Sequence, residues 1–329
     1  MKFSIIVCAY NEEKVIIRCL KSLIKIDYQL NDYEVIIVND GSNDKTEDLV
    51  ENFIIQQNLK NFRQLKIQHA GLSIARNAGI DNSNFDIVVF IDADAIADYQ
   101  ILNEYRKTYI NKKVEFSGGR INLLNTDSEV AHFFQKTRFK QIFEKNNYKE
   151  QLIGANMSFR KKLFLEDGGF PSIFVSRGDD TFIREKFLVK YKYAPTPDAI
   201  VLHERPTKFI NCLKIFYVES LNGEILKNIL EKQSLITKFF KLCIIFFLFY
   251  LMVLSPVLIV FSILILILKS ITNSFKTINQ EDRSFYTVIG YTLIKIFERI
   301  IKEIVFIKKI FATKPAYSRN IKNYFIIDK

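Results

Sequence analysis

Two aspartates separated by one alanine, Asp92 and Asp94, close the stretch VVFIDADA after an almost wholly apolar run. Neighbouring carboxylates repel, and a hard divalent cation such as Mg²⁺ or Mn²⁺ is the natural remedy, its remaining positions going to water and phosphate oxygens. On an extended strand end alternate side chains share a face, so both acids would aim at one spot while Ala93 points away. Asp40, in VIIVNDGSND, offers a further carboxylate to a base N–H or a ribose hydroxyl; Gly41 frees the turn, and Ser42 or Asn43 can cap the next helix. Asp179 and Asp180, in SRGDDTFIREKF, have the placement that a helix N-terminus favours.

The elements that must position these acids follow from the hydrophobic pattern. FSIIVCA (3–9), EVIIVND (34–40), LKIQ (65–68) and DIVVFID (86–92) read as strands, and EEKVIIRCLKSLIKI (12–26) repeats apolar residues at helical spacing. Strands apolar on both faces that alternate with helices predict an α/β fold, a mostly parallel central sheet with helices on both faces. Ligands then lie beyond the carboxyl ends of the strands. The polar clusters AYNEE, NDGSND and DADAIAD each follow a predicted strand. From about 114 to 205 the pattern becomes mixed α+β, with a helical run near 129 to 145.

Taken in order, SIIVCAYNEE, VIIVNDGSND, HAGLSIARNAGI, VVFIDADA, GANMSFRK, GGFP and GDDTFIREKF resemble the motif series of the family 2 glycosyltransferases, over about residues 3 to 205. The resemblance implies the GT-A fold and a nucleoside diphosphate sugar as donor. It places Ala9, Tyr10, Glu12 and Asp40 in the nucleotide pocket, with Asp40 on the base and Tyr10 stacking. Arg76 would lie near the diphosphate, which suits a guanidinium fork. Asp92 matches the position that meets the ribose, Asp94 the metal ligand, and His203 a histidine that joins the metal in several members. Asp180 matches the general base, with Asp179 beside it where glutamate is usual; Lys186 stands where arginine is common. QxxRW, frequent in processive synthases, is absent, which implies transfer of one sugar per encounter. A single displacement inverts the anomeric centre.

Two other classes fit less well. A nucleotidyltransferase would show a glycine-rich basic loop after the first strand, where this chain has AYNEEK, and a dinucleotide-binding dehydrogenase would show GxGxxG there. The alternative that stays open is a catalytically silent, membrane-bound nucleotide-sugar-binding or scaffold protein.

Of 329 residues with net charge +11, residues 269 to 329 hold 12 Lys and Arg against 5 Asp and Glu. That excess follows the most apolar part of the chain, the uncharged stretch Leu242 to Leu268, which exceeds the roughly 20 residues needed to span a bilayer. The placement favours membrane lipids as partner and argues against nucleic acid. Ser255 and Pro256 interrupt the stretch, leaving a single kinked span or a re-entrant hairpin; the positive-inside tendency favours the hairpin. The expected organisation is a catalytic domain over 1–232 (a nucleotide-binding half, 1–110, and an acceptor-binding half, 111–232), a hydrophobic membrane segment over 233–270 and a basic amphipathic region over 271–329. The N-terminus shows no secretory h-region, so the catalytic domain is expected on the cytoplasmic side of the membrane. The acceptor would be a glycan or lipid-linked saccharide. Cys8, Cys19, Cys212 and Cys243 have no metal-type spacing, which sets aside a disulfide framework or zinc site.

Overall fold

The uncharged run FSIIVCA forms β1 (Phe3–Ala9), and the first half of the protein is assembled around it. The computed structural model describes residues 1–132, 134–135, 152–174, 176–230 and 268. On one side of β1 lies β2 (Tyr33–Asp40) and then the edge strand β3 (Phe62–Ile67); on the other lies β4 (Ile87–Ile91). All three pairings are parallel. Helices α1 (Ile16–Leu23), α2 (Thr46–Gln56) and α3 (Leu72–Asp81) make the crossovers. Phe3, Ile5, Val7 and Ala9 join Ile16, Cys19 and Leu20 of α1 and Val50 of α2 in one core. The alternate residue Ile6 faces α3, so close to Gly79 that a Cβ there would collide with it. Strand alternation thus covers both sheet faces with helix, as the apolar pattern predicts.

β3 begins three residues earlier than LKIQ suggests. As an edge strand it leaves Arg63, Gln64 and Lys66 partly exposed, so its apolar pattern is weak. The helix α2 also starts differently from expectation. Asp44, not Ser42 or Asn43, accepts the Thr46 N–H at 2.9 Å, while the Ser42 hydroxyl accepts the Asn11 N–H. At the sheet end opposite the acid clusters, buried Glu34 accepts hydrogen bonds from Ser4 Oγ (2.6 Å), the Asn84 N–H (2.6 Å) and Arg63 Nη2 (3.1 Å). A buried carboxylate so satisfied ties together three segments remote in sequence.

Beyond β4 the sheet is mixed, which corrects the mostly parallel expectation. Strand β5 (Ala95–Ala97) pairs antiparallel with β8 (Thr196–His203), β6 (Phe116–Leu123) antiparallel with β7 (Asn156–Arg160), and β7 antiparallel with β4; only β6 with β8 is parallel. Apolar periodicity marks strands but carries no information on their direction. Asn156 sits where β6 leaves β7 for β8, fully buried. Its Nδ2 donates to Arg120 O (3.0 Å) and Ala199 O (2.8 Å), and its Oδ1 accepts from Tyr105 Oη (2.7 Å) of α4 (Ile101–Lys112). Gly119 leaves room for that amide, since a Cβ there would strike it. Helices α5 (Lys162–Asp167) and α6 (Asp179–Leu188) complete the first unit, whose described residues end at Arg205. A second unit begins at Pro206 and contains α7 (Phe209–Leu230).

Among the described residues no helix is long and apolar enough to cross a membrane. The stretch 242–268, Leu268 apart, and all of the basic region lie outside the described residues, as does most of the helical run expected near 129 to 145.

Candidate active site

Strand β4 ends at Ile91, and Asp92 to Asp94 form a turn rather than a strand end, closed by the Ala95 N–H on Asp92 O at 3.0 Å. The convergence expected of the two acids still holds. Ala93 is buried, and the carboxylates meet the ring of His203, the last residue of β8, which pairs in register with Ala95. His203 Nε2 lies 3.5 Å from Asp92 Oδ2 and 3.3 Å from Asp94 Oδ1. One ligand atom from each of the three residues lies within 4.8 Å of the others. His203 Nδ1 is 2.6 Å from Glu204 O; a carbonyl only accepts, so Nδ1 donates there and Nε2 is the ring nitrogen turned toward the acids.

Two carboxylate oxygens and an imidazole nitrogen suit Mn²⁺ or Mg²⁺. The local electrostatics agree. Burial, followed by repulsion from Asp94 and Asp92, pushes the Glu12 carboxyl up to about 7. Burial also raises Asp94, assisted by Asp92 and opposed by His203. Burial works upward on Asp92 too, but the His203 hydrogen bond and the Arg76 charge outweigh it and hold Asp92 low. Three acids crowded around one imidazole is a charge distribution that a divalent cation would relieve.

Arg18, on α1, braces this cluster. Its Nη2 donates to Asp94 O at 3.1 Å and its Nη1 pairs with Glu204 Oε1 at 2.6 Å, so one guanidinium grips both segments that carry the triad.

Arg76 is 3% exposed and Asp179 1%. Arg76 Nη1 lies 2.5 Å from Asp179 Oδ2, and Nη2 lies 3.4 Å from Asp92 Oδ1. The fork expected to face a diphosphate is thus spent on two carboxylates, and it links the triad to the start of α6. Burial pushes Asp179 up against the pull of Arg76, while the two acids hold Arg76 firmly protonated. Asp180 is half-buried and accepts the N–H of Gly154 (2.9 Å) and of Thr181 (2.6 Å), which fixes its orientation. Ser73, Arg76 and Asn77 share one face of α3 by helical spacing. Ser73 Oγ donates to Phe174 O (2.7 Å), and the Asn77 amide exchanges two 2.8 Å hydrogen bonds with the Phe170 backbone. That face therefore tethers the loop leading into α6.

Asp40 is buried at the end of β2, and its oxygens accept the N–H groups of Ala70 (2.8 Å) and Gly71 (2.9 Å) ahead of α3. Gly41 follows with φ +66, the left-handed turn expected of it. Tyr10, 39% exposed, stacks on His69 with ring centroids 3.9 Å apart and an interplanar angle of 18°. Ala9 is buried at the end of β1, in register with Asn39, and the Glu12 N–H donates to Thr46 Oγ1 at 2.7 Å. Sequence reasoning missed Arg18, Glu204, His69, Ser73 and Asn77. Only the last two had a signal, their three- and one-residue spacing from Arg76 inside the motif HAGLSIARNAGI.

The mixed α/β sheet thus carries a carboxylate–imidazole triad at its rim and an oriented acid at a nearby helix start. Residues 4–166 match the family described as Glycosyl transferase family 2, so this segment is a domain of that family. It is 27% identical over 205 residues to Glycosyltransferase AglE of Haloferax volcanii, covering 61% of this chain and 66% of that protein. It is 31% identical over 141 residues to the dolichyl N-acetyl-alpha-D-glucosaminyl phosphate 3-beta-D-2,3-diacetamido-2,3-dideoxy-beta-D-glucuronosyltransferase of Methanococcus voltae, covering 41% of this chain and 44% of that one. The chain thus spans two thirds or less of these relatives' lengths. The fold is similar to that of the mannosyltransferase PcManGT from Pyrobaculum calidifontis in complex with GDP-Man and Mn²⁺, with TM-score 0.58, 18% identity, and coverage of 71% of this chain and 65% of that one.

Proposed function

We propose that the protein is an inverting, metal-assisted glycosyltransferase that moves one sugar at a time from a UDP or GDP sugar to a hydroxyl of a membrane-proximal acceptor, a lipid-linked saccharide or envelope glycan. The observation that carries this reading is the connection of the Asp92–Asp94–His203 triad to Asp180 through Arg76 and Asp179. A divalent metal held by Asp94, His203 and Asp92 would offset charge on the departing nucleoside diphosphate. Asp180, oriented by two backbone N–H groups, accepts the proton of the acceptor hydroxyl as that oxygen attacks the anomeric carbon opposite the leaving group. Asp40 shapes the loop that carries His69, and Tyr10 with His69 offers a flat exposed surface to the base.

The membrane-proximal acceptor is supported by the uncharged stretch 242–268 and by the dolichyl-linked substrate in the name of the M. voltae relative. The basic excess over 269–329 beside that stretch supports placing the catalytic domain at the cytoplasmic membrane surface. The test is a panel of nucleotide sugars with Mn²⁺ and a lipid-linked saccharide acceptor, following nucleoside diphosphate release. Asp180→Asn should lose about 10² to 10⁴-fold in transfer while still binding donor. A wild-type protein that turns over no donor, or an Asp180→Asn variant with full transfer, would overturn the reading.

A further inference from the structure

On the outer side of α1, away from its core face, an open trough of about 950 Å³ runs between the helix and the β5–β8 ribbon. One wall carries four cations, Arg18 and Lys21 on one face of α1 and Lys14 and Lys25 in the turns just before and after it. Arg18 is bound to Glu204, but among the described residues Lys14, Lys21 and Lys25 have neither hydrogen bond nor ion pair. The trough is not polar throughout. Ile17, Ile96, Ile200 and Leu202 line it and are partly exposed, leaving an apolar floor beneath a cationic wall. Asp98 is an acid in the lining, and its Oδ1 accepts the Gln100 N–H at 2.8 Å.

Lysines without partners above exposed aliphatic side chains match an anion joined to hydrocarbon. A soluble phosphate would use the wall and leave the floor wet; a neutral lipid would use the floor and leave the cations without counter-charge. Both strands of the floor adjoin the triad: β5 follows Asp94 directly, and β8 ends at His203. Arg18 belongs to both places, since it lines the trough and grips Asp94 O and Glu204. We propose that this trough is a binding site for the phosphate headgroup of an anionic membrane lipid, the glycerol and first methylenes lying on the apolar floor. A lipid seated there holds the metal triad at the bilayer surface. The proposal does not depend on which sugar is transferred.

The test uses the full chain and no activity assay, so its outcome is independent of the proposed reaction. Flotation is measured with phosphatidylcholine vesicles and with vesicles also containing phosphatidylglycerol, and the anion-dependent increment is compared between variants. At about 1 kcal/mol per lysine near an anionic surface, each Lys→Gln change should cost roughly fivefold at low salt, and Lys14→Gln/Lys21→Gln/Lys25→Gln at least about tenfold after screening. Lys21→Gln alone, the milder variant, should lose roughly fivefold. Binding to phosphatidylcholine should not change, and Lys60→Gln/Lys112→Gln/Lys113→Gln, which removes three exposed lysines elsewhere, should keep the full increment. The proposal is overturned if the α1 triple variant retains the increment, or if both triple variants lose it equally, which would mean diffuse charge attraction. It is also overturned if inorganic phosphate at constant ionic strength displaces the anion-dependent binding of the wild type, which would mean a site for the free anion.

Discussion

Arg76 should be the most costly single side chain to remove from the candidate site, and the cost follows from its burial. At 2.5 Å from Asp179 Oδ2 the pair attracts by about 6 to 7 kcal/mol at an effective dielectric near 20. Desolvating each ion opposes this by several kcal/mol, so the intact pair is close to balance. Removing one partner is not balanced. Arg76→Met keeps an apolar stem between the rings of Phe90 and Phe170, whose centroids lie 5.8 and 5.5 Å from the guanidinium carbon, but leaves Asp179 buried and uncompensated. The expected loss is about 3 to 5 kcal/mol. At roughly 2 to 4 °C per kcal/mol for a domain of this size, thermal unfolding should fall by about 6 to 20 °C. Asp179→Asn leaves Arg76 its contact with Asp92 and should cost less, about 1 to 2 kcal/mol. The loss in the double variant should fall short of the sum of the two single losses by at least about 1 kcal/mol, because the buried lone charge is gone. A shift below about 2 °C for Arg76→Met, or strict additivity in the double variant, would refute the ion pair as the link between triad and α6.

Two further outcomes can be measured alongside. The donors from Ser4, Asn84 and Arg63 outweigh burial and hold the Glu34 carboxyl below its ordinary value. A carboxyl depressed in the fold adds stability above the ordinary carboxylate range and loses it as pH falls through the depressed folded value. Glu34→Gln should therefore lower the Tm at pH 7 and narrow the gap to wild type as pH drops below about 4, and a pH-independent difference would contradict this. If Tyr10 and His69 form the surface for the base, Tyr10→Ala and His69→Ala should each weaken UDP or GDP binding by about 1 kcal/mol in calorimetry, with Tm unchanged in Tyr10→Ala; wild-type affinity in both would remove that role.

What was legible in the sequence was local. Asp92 and Asp94 are two residues apart, and Asp179 and Asp180 are adjacent, so their pairing needed no tertiary structure. The strand ends that display them could be read because β1, β2 and β4 are buried on both faces and show as continuous apolar runs. The residues that hold the site together act across long separations. Arg18 meets Asp94 and Glu204, and Asn77 meets Phe170, at distances along the chain that no periodicity reports. Arg76 was recognised by its motif, but its burial between two acids depends on β4 and α6 arriving beside α3, and so its guanidinium engages carboxylates. The turn at Asp92–Asp94 and the antiparallel strands of the second half were hidden for a related reason: hydrophobic pattern marks which residues are covered, not which way the chain is running.

Pulsed EPR of Mn²⁺ bound to the full chain with a nucleoside diphosphate tests the metal triad most directly. One bound Mn²⁺ is expected, with nitrogen coupling from a single imidazole that is lost in His203→Gln, and with binding weakened by at least tenfold in Asp94→Asn, where a ligand charge is removed. Mn²⁺ bound with no imidazole coupling, or with unchanged affinity in Asp94→Asn, would contradict it.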